Sequence, residues 1–478
     1  MADNKPLILD VDSTFLKTDM LYENFWAGLG QNPRATIKAA FSHFGNKAVL
    51  KHELTQLAEM RTDLMPVNAD IKKLADQTLS SGRRVVLASA SDQVLVKQLA
   101  QDHGLDDQVF ASDGCDNLKG AAKAEALVQA FGENGFHYGG NEKLDRAVWD
   151  HADGVIIVGE HADISAELQA AGKQVANYPG GWAMRDLIRA LRPHQWIKNL
   201  LLVFPMIAAH NFGLSTLALV LLGMVAFSFA ASSIYIVNDL LDLEADRLHP
   251  KKRFRPFAAG DVPIAIGMAT SLALAAVAFA IGFYLGWGFL AVIILYVALS
   301  LSYSLKLKRM RWVDIAALAS LYTIRVVAGA AAGGVDASFY MLVFIFPVFI
   351  ALGCVKRLTE LTLAENDDCL PGRGYGRRDR GDLLNVAVLG SIGALLIFFL
   401  YSFSEQATRL YPTQWLLWLA LIPLAWWLTR MVRLGYFGKQ DYDPIVFAMT
   451  DKRGLGILMI LLSLLFYSAG LFQQWFGL

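Results

Sequence analysis

The chain of 478 residues is 55% hydrophobic and 18% charged, too long for one ordinary domain and too apolar for a wholly soluble protein. Its 43 basic and 43 acidic residues cancel, so it has no net positive charge to draw it to nucleic acid, and no nucleic-acid partner is expected. The apolar load is uneven: residues 1 to about 190 have a soluble protein's mixture, and the rest is a series of apolar runs near the ~20 residues that cross a bilayer. A soluble α/β domain followed by an all-α membrane domain is expected. Cys115, Cys354 and Cys369 have no metal-ligand spacing and form no even set, which argues against a disulfide framework. The charged start leads into a strand-like run rather than a signal peptide, so the first domain is expected in the cytoplasm.

In chain order, Pro6-Leu7-Ile8-Leu9 reads as a buried strand that ends in two acids, Asp10 and Asp12, within Asp10-Val11-Asp12-Ser13-Thr14. Carboxylates beyond a strand's C-terminal end reach the crevice where open α/β sheets bind ligands. A second strand, Arg84 to Ala88, runs into Ser89-Ala90-Ser91, and Lys123 opens a helix. Gly139-Gly140-Asn141-Glu142-Lys143-Leu144-Asp145 then precedes a further strand, Gly154 to Val158. Strands alternating with helices argue for a parallel sheet.

These stations resemble the haloacid dehalogenase superfamily, in particular its phosphoserine-phosphatase-like branch. The resemblance implies a Rossmann-like fold over residues 1–178, with about 16–80 as a small helical cap. It implies Asp10 as phosphate-accepting nucleophile, Asp12 as general acid and base, Ser89 as phosphate ligand and Lys123 as neutraliser of phosphate charge. Mg²⁺ would sit on Asp10 and Asp145. The chain departs from the pattern at Asn141, where family members usually carry an acid.

Residues 179–196 read as a linker and interfacial helix: breakers at Pro179-Gly180-Gly181, then a basic amphipathic stretch, Met184 to Leu191, with Trp196 beyond it. From 197 to 478, nine spans are expected, near 197–212, 214–237, 264–283, 287–304, 313–333, 338–357, 384–403, 413–432 and 455–474. The loops after the second, fourth, sixth and eighth hold nearly all the loop Lys and Arg, and the intervening ones hold Arg409. The positive-inside rule then puts the N-terminal domain and the basic loops in the cytoplasm and the C-terminus outside, in an inner or plasma membrane.

The second span ends in Asn238-Asp239-x-x-Asp242-x-x-x-Asp246. On a helix these four side chains share one face, and clustered acids of this kind need a cation. Oxygen donors suit Mg²⁺, which binds through one or two carboxylates plus substrate phosphates, so a diphosphate substrate is expected. Arg253 and Arg255 follow the acids, Tyr303 and Lys306 close the fourth span, and Lys356, Arg357 and Glu360 end the sixth at helical spacing. Asp314 and Arg325 lie inside the fifth, where a charge is costly and usually functional or paired.

The acidic motif, Arg255-Pro256, Tyr303 with Lys306 and the span count resemble the UbiA superfamily of intramembrane transferases. Within it, Arg192-Pro193-x-Gln195-Trp196-x-Lys198-Asn199, Lys356-Arg357-x-x-Glu360 and Asp443-Pro444 are similar to decaprenyl-phosphate phosphoribosyltransferases. A second acidic cluster, usual in aromatic prenyltransferases, is reduced to Asp314. The resemblance implies that Mg²⁺ on Asn238, Asp239, Asp242 and Asp246 holds phosphoribosyl pyrophosphate. A polyprenyl phosphate, bound by residues such as Lys198, Asn199 or Lys356, would then take the phosphoribose. The soluble domain would remove its 5′-phosphate. An aromatic polyprenyltransferase acting on a prenyl diphosphate, or a transporter with a regulatory domain, are the alternatives.

Overall fold

Leu7–Asp10 forms a strand, β1, with all four side chains buried, as expected of a central parallel strand covered on both faces. A computed structural model of the chain describes residues 4–114, 116–364, 373–440 and 443–477, so Cys115 and Cys369 lie outside the described residues. After β1 come α1 (Met20–Gln31), α2 (Pro33–Ser42), α3 (Lys47–Leu57) and α4 (Ala69–Ser80). Next are β2 (Val85–Asp92), α5 (Gln93–Asp102), β3 (Phe110–Ser112), α6 (Ala121–Phe131), β4 (His137–Gly140) and α7 (Arg146–Trp149). β5 (Gly154–Val158), α8 (Ala162–Ala170), β6 (Gln174–Tyr178) and α9 (Met184–Leu191) complete this part.

The strands make one six-stranded sheet in the order β3-β2-β1-β4-β5-β6, every pair parallel. The order reverses between β1 and β4, which opens a crevice at their C-terminal ends. One face is packed by Leu9, Val85, Leu87, Leu99 and Val158, the other by Ile8, Val86, Leu127, Tyr138 and Trp149. The cap expectation needs a correction. Ile71 and Ala75 of α4 are fully buried in the first of these cores, so α4 packs on the sheet, while α1 enters that core only through Met20 at its start.

The remaining elements are helical: a 3₁₀ stretch Pro193–Val203, α10 (Phe204–Ala208), α11 (Leu214–Leu241), α12 (Leu243–Leu248), α13 (Ile264–Leu285), α14 (Trp287–Leu305) and α15 (Val313–Gly333). Then follow α16 (Phe339–Leu363), α17 (Arg380–Tyr401), α18 (Glu405–Leu410), α19 (Trp415–Tyr436), α20 (Pro444–Thr450), α21 (Lys452–Ser468) and α22 (Leu471–Phe476). Seven helices among the described residues are long and apolar enough to cross a membrane: α11, α13, α14, α15, α16, α17 and α19.

The expected first span, 197–212, is instead the 3₁₀ stretch and one short turn of α-helix, with Pro193 and Pro205 at their starts. Proline removes a backbone donor and fixes φ, so a single continuous helix does not run through. The expected last span is the 17-residue α21 followed by a break at Gly470. Leu272, Phe283, Leu295, Leu389, Ile392 and Ile422 are exposed large apolar side chains on these helices, a surface that water would penalise and lipid would not.

The chain divides into two compact units, Met1–Leu191 with Tyr235–Ser271, and Arg192–Ile234 with Leu272–Leu478. The first unit therefore unites the sheet domain with the segment that carries the acidic motif. Trp26 of α1 and Leu187 and Ala190 of α9 pack with Ile236, Leu240, Leu243, Phe257, Val262 and Ile264 in one buried cluster. Gly260 has φ +70°, and a Cβ there would lie 2.6 Å from Cβ of Lys17 and 2.9 Å from Cγ of Pro66. Gly260→Ala is expected to destabilise this unit by about 1–2 kcal/mol, from backbone strain and the close approach together. A thermal melt unchanged by the substitution would contradict this packing.

Candidate active sites

The acidic motif does not lie on one straight helix. α11 ends at Leu241 and α12 begins at Leu243, with Asp242 between them at φ −102°, ψ 14°. The i→i−4 pattern nevertheless continues across the break, Asp242 N–H donating to the Asn238 carbonyl at 3.0 Å and Asp246 N–H to that of Asp242 at 2.8 Å. Asp239 and Asp246 are thus kept on one side, both buried, and Arg255 Nη1 bridges them at 3.1 and 2.6 Å. Burial pushes the Asp246 carboxyl up, with Arg255 pulling against it. Lys252 stands 3.9 Å from Asp246, whereas Arg253 is exposed and lies over the Phe254 ring.

Among the described residues no three His, Cys, Asp or Glu gather closely enough to hold a metal ion unaided. The oxygen set does suit Mg²⁺ if substrate phosphates complete it. Asn238 Oδ1 is buried beside the acids with no hydrogen-bond partner, an acceptor that a cation would satisfy.

Three polar clusters of the second unit contain expected site residues. Asp314, fully buried, accepts from Arg357 Nε at 2.5 Å, Arg357 Nη2 at 2.8 Å and Tyr303 Oη at 2.9 Å. Arg373 Nη1 donates to the same Tyr303 oxygen at 2.9 Å, and Glu360 pairs with Arg357. Arg357 and Glu360 are therefore brought together as their helical spacing suggested, and Tyr303 joins them from α14. Lys306 is exposed and outside the cluster. In the second cluster, Lys198 and Lys356 share Asp443, at 2.5 and 3.7 Å. In the third, Asn199 donates to Ser228 Oγ at 2.9 Å and accepts from Arg325 Nε at 3.1 Å, while Arg325 Nη2 meets Tyr296 Oη at 3.1 Å.

At the sheet's C-terminal edge the stations also converge. Lys123 Nζ donates to Asp10 Oδ1 at 2.6 Å and lies 3.9 Å from Asp145, all three groups being buried. Asp12 accepts from Ser91 Oγ at 2.8 Å, Ser89 Oγ at 3.3 Å and Met20 N–H at 2.8 Å. The chain reaches that position by a tight turn over Val11–Phe15 in which Ser13 takes φ 57°. Asn141 Oδ1 accepts from Thr14 Oγ1 at 3.0 Å, and its N–H donates to Asp145 at 3.0 Å. Burial pushes the Asp10 carboxyl up to about 7, opposed by Lys123.

Sequence reasoning missed several members. Tyr138, fully buried, accepts from Lys123 at 3.0 Å and donates to Asp145 at 2.8 Å. Lys51 reaches from α3 to the Ala90 carbonyl at 2.6 Å. Lys51 resides in a stretch without a motif and is brought in by the docking of α3, whereas Tyr138 stands one residue before Gly139-Gly140 and is brought in by the register of β4.

A bundle of apolar helices around paired buried charges defines an integral membrane protein of polytopic helical type. Residues 199–447 match the UbiA prenyltransferase family. An uncharacterised protein of Sinorhizobium fredii, y4nM, is 31% identical over 455 residues, 94% of this chain and 88% of the relative. A decaprenyl-phosphate phosphoribosyltransferase of Mycolicibacterium smegmatis is 37% identical over 227 residues, 46% of this chain and 71% of the relative. The solved structure of a UbiA homologue from Archaeoglobus fulgidus bound to GPP and Mg²⁺ aligns at 15% identity and a TM-score of 0.43, over 60% of this chain and 99% of that one. The chain belongs to the UbiA prenyltransferase family.

Burial, and then the charge of Asp12, raise the Asp19 carboxyl from an ordinary 3.8 to about 7. The folded chain holds that proton more tightly than the unfolded chain, so this group's contribution is complete below about pH 4 and is lost as pH rises through about 7. Asp19→Asn, which can still cap α1, should flatten the fall in melting temperature between about pH 5 and pH 8. An unchanged slope would count against the raised value.

Proposed function

We propose that this protein transfers phosphoribose from phosphoribosyl pyrophosphate to a polyprenyl phosphate, and that its sheet domain then removes the 5′-phosphate. The observation that carries the first part is the acidic cluster of the first unit: Asp239 and Asp246 bridged by Arg255, with Asn238 Oδ1 unsatisfied beside them. Among the described residues, Asp314 of α15 is already neutralised by Arg357 and Tyr303, which favours the first unit's acids as the place for the diphosphate. The decaprenyl-phosphate phosphoribosyltransferase relatives support the same donor.

In this reading a phosphate oxygen of the lipid attacks C1 of the sugar, and the bond from C1 to the pyrophosphate oxygen breaks with its electron pair leaving on pyrophosphate. Asn238, Asp239, Asp242 and Asp246 would hold a Mg²⁺, which would supply charge neutralisation to that leaving group. Arg255 adds a fixed cation there, and Lys198 and Lys356 bind the attacking phosphate, which would take the place of Asp443. A largely apolar cavity of about 420 Å³, lined by Phe204, Met341, Phe344, Phe398, Leu458 and Leu465, suits part of a polyprenyl chain. In this reading the basic loops face the cytoplasm by the positive-inside rule, so that the sheet domain and the acidic segment would lie inside and the C-terminus outside.

The sheet domain is read as a phosphatase of haloacid dehalogenase type. Asp10 attacks phosphorus while Asp12 protonates the departing O5′. Asp12 then takes a proton from the water that cleaves the aspartyl phosphate. Lys123 and Tyr138 fix Asp10 and Asp145, the two carboxylates that would hold the phosphatase Mg²⁺. Asn141 contributes no third charge. Serving both reactions from one chain raises the effective concentration of the second site near the first product, to about the mM range for a short tether.

The test is to incubate membranes with labelled phosphoribosyl pyrophosphate and polyprenyl phosphate, and to separate the lipid products. Asp239→Asn should cut transfer by about 10²–10³-fold while the protein remains folded. Asp10→Asn should leave transfer intact and accumulate lipid-linked phosphoribose in place of lipid-linked ribose. Identical product ratios from the wild type and Asp10→Asn would remove the phosphatase assignment. Incorporation of a prenyl group into 4-hydroxybenzoate, with none of phosphoribose into lipid, would reassign the donor.

A further inference from the structure

Glu23 lies on the first turn of α1 and is buried with both carboxylate oxygens engaged. Oε1 accepts from Thr18 Oγ1 at 2.7 Å and from Arg247 Nη2 at 2.5 Å, and Oε2 accepts from Arg247 Nη1 at 3.1 Å. Arg247 Nε is spent on the Ala258 carbonyl at 3.1 Å, so the guanidinium ties α12 at once to α1 and to the loop after it. The pair's side chains are only 8% and 4% exposed. In such a place a bidentate pair is rigid, and removing one partner strands the other.

Arg247 follows Asp246 of the acidic motif directly. At its other end, α1 begins at Met20, whose N–H donates to Asp12, and Thr18 accepts the Ser13 N–H through its carbonyl at 3.2 Å. Between Asp12 and Asp246 there is therefore one turn of helix and one ion pair. Trp26, Tyr22, Phe25 and Leu29 extend the same helix's grip on Ile236, Leu240 and Leu243. A diphosphate that draws Asp246 toward a cation has to move Arg247, and Arg247 can move only with Glu23 or by breaking from it.

We propose that Glu23 is a positioning residue shared by both sites: through Arg247 it sets α12 and the acidic motif, and through the start of α1 it sets Asp12, so that filling one site alters the other. The proposal rests on the reading that the acidic segment binds a diphosphate, and it adds a coupling that neither reaction requires.

Hydrogen exchange read by mass spectrometry on the full chain in detergent micelles tests it, with Mg²⁺ and inorganic pyrophosphate as the probe. In the wild type the probe should slow exchange in peptides covering residues 238–255 and also in those covering 12–25. In Glu23→Gln and Arg247→Gln the first response should persist and the second should vanish. A wild-type response at 238–255 without one at 12–25, or an equal response in both variants, overturns the coupling. If 238–255 itself is silent, the diphosphate reading fails and the unliganded arm decides. There, Glu23→Gln must speed exchange in α12, Arg247→Gln must speed it at the start of α1, and the double variant must be no worse than either alone. Exchange unchanged in those segments sinks the proposal. A separate readout is the kinetic split: Glu23→Gln should raise KM for phosphoribosyl pyrophosphate by about 5-fold or more, a typical size for coupling between sites. Purely structural damage would lower kcat with the fraction folded and leave KM alone.

Discussion

A charge removed from water must be met by another charge or by a full set of hydrogen bonds, and this condition governs every site in the molecule. Asp239 and Asp246 are tolerable inside the fold because Arg255 sits between them. Asp314 is tolerable in a membrane helix because Arg357, Tyr303 and Arg373 converge on it, and Asp10 because Lys123 does. Each pair spares the unliganded protein a buried lone charge. On the function proposed above, the same carboxylates and cations are the groups a phosphate would engage.

The same condition explains what could be read from the sequence. Runs such as Leu7-Ile8-Leu9 and Ile156-Ile157-Val158 announce buried parallel strands because nothing but a covered sheet accommodates them, and the parallel sheet is present. The apolar helices were equally legible, since a bilayer imposes length and composition directly. The first expected span was harder. Its composition is that of a membrane helix, but Pro193 and Pro205 redirect the backbone, and hydropathy does not register a missing N–H.

Site residues separate along similar lines. Those whose spacing follows one element's period, such as Arg357 with Glu360 or Asp10 with Asp12, were visible because local geometry fixes their neighbours. Those recruited by packing between distant segments were not. Asp443 meets Lys198 from 245 positions away, and Glu23 meets Arg247 from 224, so no local pattern could pair them. The acidic motif falls between these cases: its residue types were legible, and the break at Asp242 that bends it was not.

The apolar cluster that joins Trp26, Leu187 and Ala190 to Ile236, Leu240, Phe257 and Ile264 has a consequence for how such a chain is inherited. Splitting the gene between the two parts would leave a greasy scar on the helical part and another on the sheet domain. Each would invite aggregation until its complement arrived. A fusion held by this kind of surface resists being undone one piece at a time, since any surviving separation requires polar substitutions on both sides at once. Lineages that carry the two parts as separate proteins should therefore show charged or small residues at the positions equivalent to Trp26 and Phe257.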